Sequence, residues 1–292
     1  MALSTLTISP ETVRRCFPKR AADSHKGTYG HVLSLCGCYG MVGAAMLAGE
    51  AALRCGAGLL TAALPRSVYP MLTARLPEAV CLPLPETARG RVSREALPLL
   101  RTVLAKSTAF LCGCGLGVES ETEELLLQLL PETKIPVILD ADGINLFSRH
   151  IDTLKTVSAL CLTPHPGEAA RLLRCPVADI QADRIGAAQQ LARQTGAVVV
   201  LKGHRTLIAA PEEALLCNPT GTPGMATGGS GDVLAGMIAS FAAQGMDLRD
   251  AAMCGVYLHG RAGELAAAQW SQHAMLPSDM LRCFGELFSV FE

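Results

Sequence analysis

Short apolar runs ending in Gly or Asp alternate along this chain with longer stretches whose apolar residues recur at helical spacing. The runs at 31–36, 59–64, 108–112, 136–140, 159–163 and 197–202 are strand-sized and predict strands. The stretches 43–55, 119–130, 166–173, 182–194, 232–244 and 248–269 predict helices. That alternation predicts an α/β fold, a largely parallel sheet with helices on both faces. Residues 206–209 and 214–217 predict a β-hairpin, and 83–94, rich in Pro, Arg and Glu, a surface loop. Leu281, Phe284, Leu287, Phe288 and Phe291 fit one apolar stripe on a C-terminal helix. No repeat, low-complexity stretch or linker interrupts the pattern, so one domain over 1–292 is expected.

Open α/β sheets bind ligands beyond the carboxyl ends of their strands. Here those exits are marked. The predicted strands lead into GCYGMVGAA from Gly37, GCGLG from Gly113, ADGINLF from Ala141, PHPGE from Pro164 and GHRT from Gly203. Five marked exits from one sheet point to one composite site.

Half of the 292 residues are hydrophobic, which is ample for a large core. With 17% charged residues and a net charge of -1, the surface argues against nucleic acid or an acidic membrane as partner. The N-terminus has no apolar core of signal-peptide length, so a cytoplasmic protein is expected. The 12 cysteines include C-x-C pairs, Cys36/Cys38 and Cys112/Cys114, rather than the paired C-x-x-C of structural zinc sites. They read as reduced thiols, several of them small core residues.

The most informative segment is NPTGTPGMATGGSGDVLAGMIASF, Asn218 to Phe241, where glycines run straight into an apolar helical pattern. Glycine lets the backbone approach a ligand closely. The first amides of a helix lack internal partners and sit at the positive end of its dipole, which suits a phosphate. Asp232 at that point would repel phosphate, so it needs a task. It could accept a proton from an attacking hydroxyl, or it could simply cap the helix. No Lys follows the glycines, so the segment is not a Walker A loop.

The other exits offer paired readings. Glu168 could order a hydrated Mg²⁺ or stabilise a helix dipole, and His165 could bind ligand or sit in a structural loop. Lys202 follows a fully apolar run and could reach phosphate oxygens or snorkel to solvent. Asp140 and Asp142 could hold metal or ribose, or form a turn and cap. GCGLG is spaced G-x-G-x-G and is a weak dinucleotide signal but a reasonable close-approach loop.

Taken in order, SHKGTYG (24–30), MVGAAMLAG (41–49), GCGLG, LDADGINL (139–146), LTPHPGE (162–168), LKGHRT (201–206) and NPTGTPGMATGGSGD (218–232) resemble the ADP/ATP-dependent NAD(P)H-hydrate dehydratases. The resemblance implies a ribokinase-like three-layer fold and repair of the (6S) hydrate of NADH or NADPH. It implies a hydro-lyase that transfers phosphate from ADP or ATP, with Mg²⁺, to the C6 hydroxyl, then eliminates it. It places Ala44, Gly115, His165 and Asp232 on the hydrate. Lys202, Gly203, His204, Arg205, Thr206 and Gly231 fall on the adenine nucleotide. Asp232 would be the base, and Glu168 would order the metal through water. Cys114 stands where proline is common in the family. A homotetramer, ADP as donor, and a separate epimerase rather than a fused one are also expected on this basis. A kinase for a small alcohol, keeping its phosphorylated product, would share the GGSGD corner.

Overall fold

The computed structural model describes residues 5–291. Its inner strands are apolar on both faces because each face is covered. Along the run 109–112, Ala109 and Leu111 join one buried cluster, and Phe110 and Cys112 join the other. The ten strands are β1 (Thr5–Thr7), β2 (His31–Leu35), β3 (Leu59–Pro65), β4 (Val80–Leu84), β5 (Ala109–Cys112), β6 (Val137–Leu139), β7 (Leu160–Leu162), β8 (Val198–Leu201), β9 (Leu207–Ala209) and β10 (Leu215–Cys217). They form one sheet in the order β1-β10-β9-β8-β7-β6-β5-β2-β3-β4. Only the pairings of β9, with β8 and with β10, are antiparallel. The carboxyl ends of β2, β5, β6, β7 and β8 therefore gather on one edge of the sheet.

Helices Val42–Arg54, Ser230–Ala243 and Leu248–Ala274 cover one face; Ser120–Glu132, Pro166–Leu173 and Arg184–Thr195 cover the other. Ser230–Ala243 is buried nearly all round, as its apolar sequence requires. It lies close against Val42–Arg54: a Cβ on Gly236 would fall 2.1 Å from the Ala48 carbonyl oxygen. Small residues on both helices allow that approach. It brings the two helix N-termini side by side at the marked edge.

The six predicted strands and the hairpin are all present. Two edge strands escaped the pattern. β1 is three exposed residues, and β4 carries Pro83, which an edge position tolerates. Residues 83–94 are more than a surface loop. Leu84 closes β4, and fully buried Val92 pairs with Glu86 across an isolated bridge. The C-terminal stripe is carried by two short helices, Pro277–Arg282 and Phe284–Ser289, rather than one. Its burial is as expected: Leu281, Phe284 and Leu287 are in the core, and Phe288 and Phe291 pack on it, with ring centroids 5.5 and 5.7 Å from Phe17. No helix among the described residues is long and apolar enough to cross a membrane.

Candidate active site

Asp140 leaves the end of β6 at the centre of the marked edge and is 1% exposed. A carboxylate so buried needs compensation, and neighbouring strand exits supply it. Lys202, leaving β8, places Nζ 2.6 Å from Asp140 Oδ1, and the Thr163 hydroxyl, leaving β7, donates to the same oxygen at 2.6 Å. The Cys114 thiol, from the loop after β5, donates to Asp140 Oδ2 at 3.6 Å. Asp140 is formally the N-cap of helix Ala141–Leu146, but its side chain makes no capping bond. Its charge is spent on Lys202. Lys202 therefore does not snorkel; it lies 2.6 Å from Asp140 and 3.8 Å from Glu168 Oε2. Burial pulls its ammonium pKa down, but Asp140 and Glu168 outweigh burial and hold it above its ordinary value.

Helix Ser230–Ala243 starts beside this group. Its N-cap is Gly229, at φ 100, which has no side chain to cap with. The amides of Gly231 and Asp232 donate to no protein acceptor among the described residues. A Cβ on Gly231 would sit 3.4 Å from Lys202 Nζ, so the bare backbone faces the ammonium. Two free amides, a helix dipole and a lysine converge on one spot, which is what a transferring phosphate needs. Asp232 is the third residue of the helix and not its cap. Burial, then the nearby Asp140 charge, push its carboxyl up to about 6; Cys114 and Lys202 pull the other way. One oxygen each of Asp140 and Asp232 and the Cys114 sulfur lie within 4.8 Å of one another.

His165 and Glu168 form a different kind of corner. His165 is the N-cap of helix Pro166–Leu173, its Nδ1 accepting from the amides of Gly167 at 2.9 Å and Glu168 at 3.3 Å. Glu168 returns the bond, accepting from the His165 amide at 2.8 Å. This is a capping box with histidine in the serine position. Its other oxygen lies 3.2 Å from His165 Nε2. Burial, then Lys202 and Arg171, lower the His165 pKa and so favour the neutral imidazole. Burial raises that of Glu168.

Ala44 and Gly115 are brought together: a Cβ on Gly115 would lie 2.8 Å from that of Ala44. The GCGLG loop is tied to the β6 exit, since the Gly117 amide donates to Asp142 at 2.8 Å. Gly203, His204 and Arg205 are exposed and Thr206 half-buried, in a turn with Arg205 at φ 56. Arg184 pins that turn by donating to the carbonyls of Leu201, Lys202 and His204. Among the described residues, no hydrogen bond or ion pair joins Gly203–Thr206 to the Gly231–Asp232 corner. The structure thus brings Asp232, Gly231, Lys202, Glu168 and His165 into one neighbourhood around Asp140, and leaves the rest of KGHRT on the rim.

Two contributors carry more weight than the sequence indicated. Asp140 was one of several candidate acids, and nothing local marked it as the pivot. His259 lies in the middle of helix Leu248–Ala274 and carries no local signal. It is 8% exposed, and its Nε2 donates to the Ser230 carbonyl at 2.9 Å, holding the first residue of the glycine-led helix. Burial lowers its pKa to about 4, so it is a neutral donor.

A one-sheet, three-layer sandwich with its site at this strand edge defines the class as ribokinase-like. A solved ribokinase-like superfamily protein from Enterococcus faecalis superposes with a TM-score of 0.86, at 29% identity, covering 98% of this chain and 96% of that one. The family model described as NAD(P)H-hydrate dehydratase matches residues 32–284, and the chain belongs to that family. The solved ADP/ATP-dependent NAD(P)H-hydrate dehydratase from Bacillus subtilis, co-crystallised with ATP/Mg²⁺, matches at a TM-score of 0.83 and 32% identity, covering all of both chains. The bifunctional NAD(P)H-hydrate repair enzyme of Moorella thermoacetica is 47% identical over 269 residues, 92% of this chain and 51% of that protein. The chain spans about half the length of the first curated relatives it matches.

Proposed function

We propose that this chain dehydrates the (6S) hydrate of NADH or NADPH, using an adenine nucleotide as phosphate donor. The observation that carries the reading is Asp232, ionisable near neutrality, at the third position of an uncapped helix that has free amides and starts beside Lys202. Asp232 takes the proton from the C6 hydroxyl as that oxygen attacks the terminal phosphorus. The phosphorus–oxygen bond to the nucleotide breaks, and AMP leaves when ADP is the donor. The Gly231 and Asp232 amides and Lys202 hold the charge that develops on the transferred group. The C6–oxygen bond then breaks, with its electron pair going to phosphate and the ring nitrogen lone pair closing onto C6. Loss of a proton from C5 restores the dihydronicotinamide. Phosphate leaves where hydroxide would not.

On this reading Ala44, Gly115 and His165 contact the hydrate, and Lys202, Gly203, His204, Arg205, Thr206 and Gly231 contact the nucleotide. The packing of Gly115 on Ala44 supports the first group, and the approach of Gly231 to Lys202 supports the second. Mg²⁺ suits the hard oxygen donors here. Both Glu168 oxygens already have partners, which favours contact through water over direct ligation. When bound, the ion neutralises phosphate charge. ADP as donor, a homotetramer, a cytoplasmic location and work alongside an NAD(P)H-hydrate epimerase complete the reading, all resting on the resemblance.

The test is incubation with chemically hydrated NADH, Mg²⁺ and either ADP or ATP. Recovery of the reduced-nicotinamide absorbance is expected, faster with ADP. No recovery with either nucleotide, or a stable phosphorylated product, overturns the proposal and favours a small-alcohol kinase.

A further inference from the structure

We propose that Cys114, Asp140 and Asp232 form a second cation site, for a thiophilic divalent ion of the Zn²⁺ class. The three donor atoms lie within 4.8 Å of one another. Donors around tetrahedral zinc, with bonds of about 2.0–2.3 Å, stand roughly 3.3–3.8 Å apart, so closing the site needs about 1 Å of movement. Cys114 is fully buried and Asp140 nearly so, while Asp232 is half-buried. Asp140 Oδ1 is occupied by Lys202 and Thr163, whereas Oδ2 faces only the thiol. That second oxygen is thus the one turned toward the thiol. The loop that carries Cys114 cannot drift from it: Gly113, at φ 120, lies so close to β6 that a Cβ would fall 2.0 Å from the Asp140 carbonyl oxygen.

Charge balance fits a divalent ion. Binding releases the thiol proton to solvent, and one thiolate and two carboxylates meet a 2+ ion, leaving one negative charge. Lys202, 2.6 Å from Asp140, offsets it. The sulfur donor selects against Mg²⁺, which takes oxygen ligands, and for Zn²⁺ or Co²⁺. Three protein ligands leave a fourth position for water. An ion held there occupies the Asp232 carboxylate. If the dehydratase reading is right, it removes the base and inhibits the enzyme. The binding itself does not rest on that reading.

Zn²⁺ affinity is measured by competition with a chromophoric chelator on the full chain, and Co²⁺ is used as a spectroscopic probe. The wild type is expected to bind one more equivalent than Cys114→Ala or the size-conserving Cys114→Ser. Affinity at that equivalent should drop more than about 100-fold, beyond the 10–100-fold typical of losing an outer partner. Co²⁺ should give a thiolate charge-transfer band that both variants lack. Equal stoichiometry and affinity in wild type and either folded variant overturns the site, since the other cysteines would then account for binding. In the activity arm, Zn²⁺ at saturating Mg²⁺ should inhibit wild type but spare the variants, each relative to its own zinc-free rate. Equal inhibition of all three overturns the site. Failure of the dehydratase reading would look different: no turnover in any of them, with the binding difference intact.

Discussion

Two helices begin at the carboxyl edge of this sheet with an acid at their third position, and they use it in opposite ways. In His165-Pro166-Gly167-Glu168, the acid accepts from the cap amide at 2.8 Å and the cap ring accepts from the first turn. In Gly229-Ser230-Gly231-Asp232, the cap has no side chain, the amides of Gly231 and Asp232 stay free, and the acid makes no capping bond. The first corner satisfies its own helix end. The second is left unsatisfied by protein, and unsatisfied donors beside a raised carboxyl are what a reaction can use. Glycine at the cap, more than aspartate at the third position, separates the two.

The sharpest break of that contrast is Asp232→Asn. It should lower kcat by about 10²–10⁴ with nucleotide binding kept, measured by hydrate turnover and by calorimetry. It should also stabilise the fold above pH 6. The folded carboxyl is raised to about 6 from 3.8, so its ionisation costs stability as pH rises through that window, and the amide escapes the cost. The gain is about 1–3 kcal/mol at most. A wild-type kcat/KM that stays flat as pH rises from 5 to 7 would argue against Asp232 as the base.

Gly231→Ala comes next. Its Cβ has room beside Lys202 at 3.4 Å, so the melting temperature should hold or rise slightly, yet the methyl occupies the phosphate approach. Nucleotide KM should increase about 10-fold or more. A fall in stability with KM unchanged would place the phosphate elsewhere.

His259→Leu leaves the Ser230 carbonyl without its donor and should cost about 1–3 kcal/mol in chemical denaturation. Because burial holds the folded pKa near 4, below the ordinary 6.5, charging the buried ring should cost the wild type stability as pH falls from 6.5 through 4, a loss the variant escapes. A His259→Leu variant as stable as wild type at pH 7 would show that the contact contributes nothing.

The smallest effect belongs to the self-satisfied corner. Glu168→Ala should cost about 0.5–2 kcal/mol, and Glu168→Gln, which can still return the cap bond, much less. If Glu168 also orders Mg²⁺, Glu168→Gln will shift the Mg²⁺ dependence of turnover at constant melting temperature. An unshifted dependence confines Glu168 to the cap.

Much of the molecule was legible before any coordinates. The six central strands were readable because strands buried on both faces must be apolar throughout, and the exits because glycine and acid there break that rule. The glycine-led start of helix Ser230–Ala243 followed from glycines meeting a helical pattern. The edge strands β1 and β4 were not legible: an edge strand has one partner and less burial, so its sequence is less constrained. Nor could the tail's stripe show that its helix breaks after Arg282.

By itself, then, the sequence determined the layer architecture, the edge on which the site lies, and the local chemistry of each exit, because those depend on periodicity and on neighbours a few residues away. Which acid caps its helix and which is left uncommitted was decided only in three dimensions. Asp140 became the pivot because Lys202, 62 positions on, and Thr163, 23 positions on, meet it. Cys114 faces Asp140 across 26 positions. Charge, burial and ligand geometry at one point are sums over groups from separate strands, and no stretch of chain contains that sum.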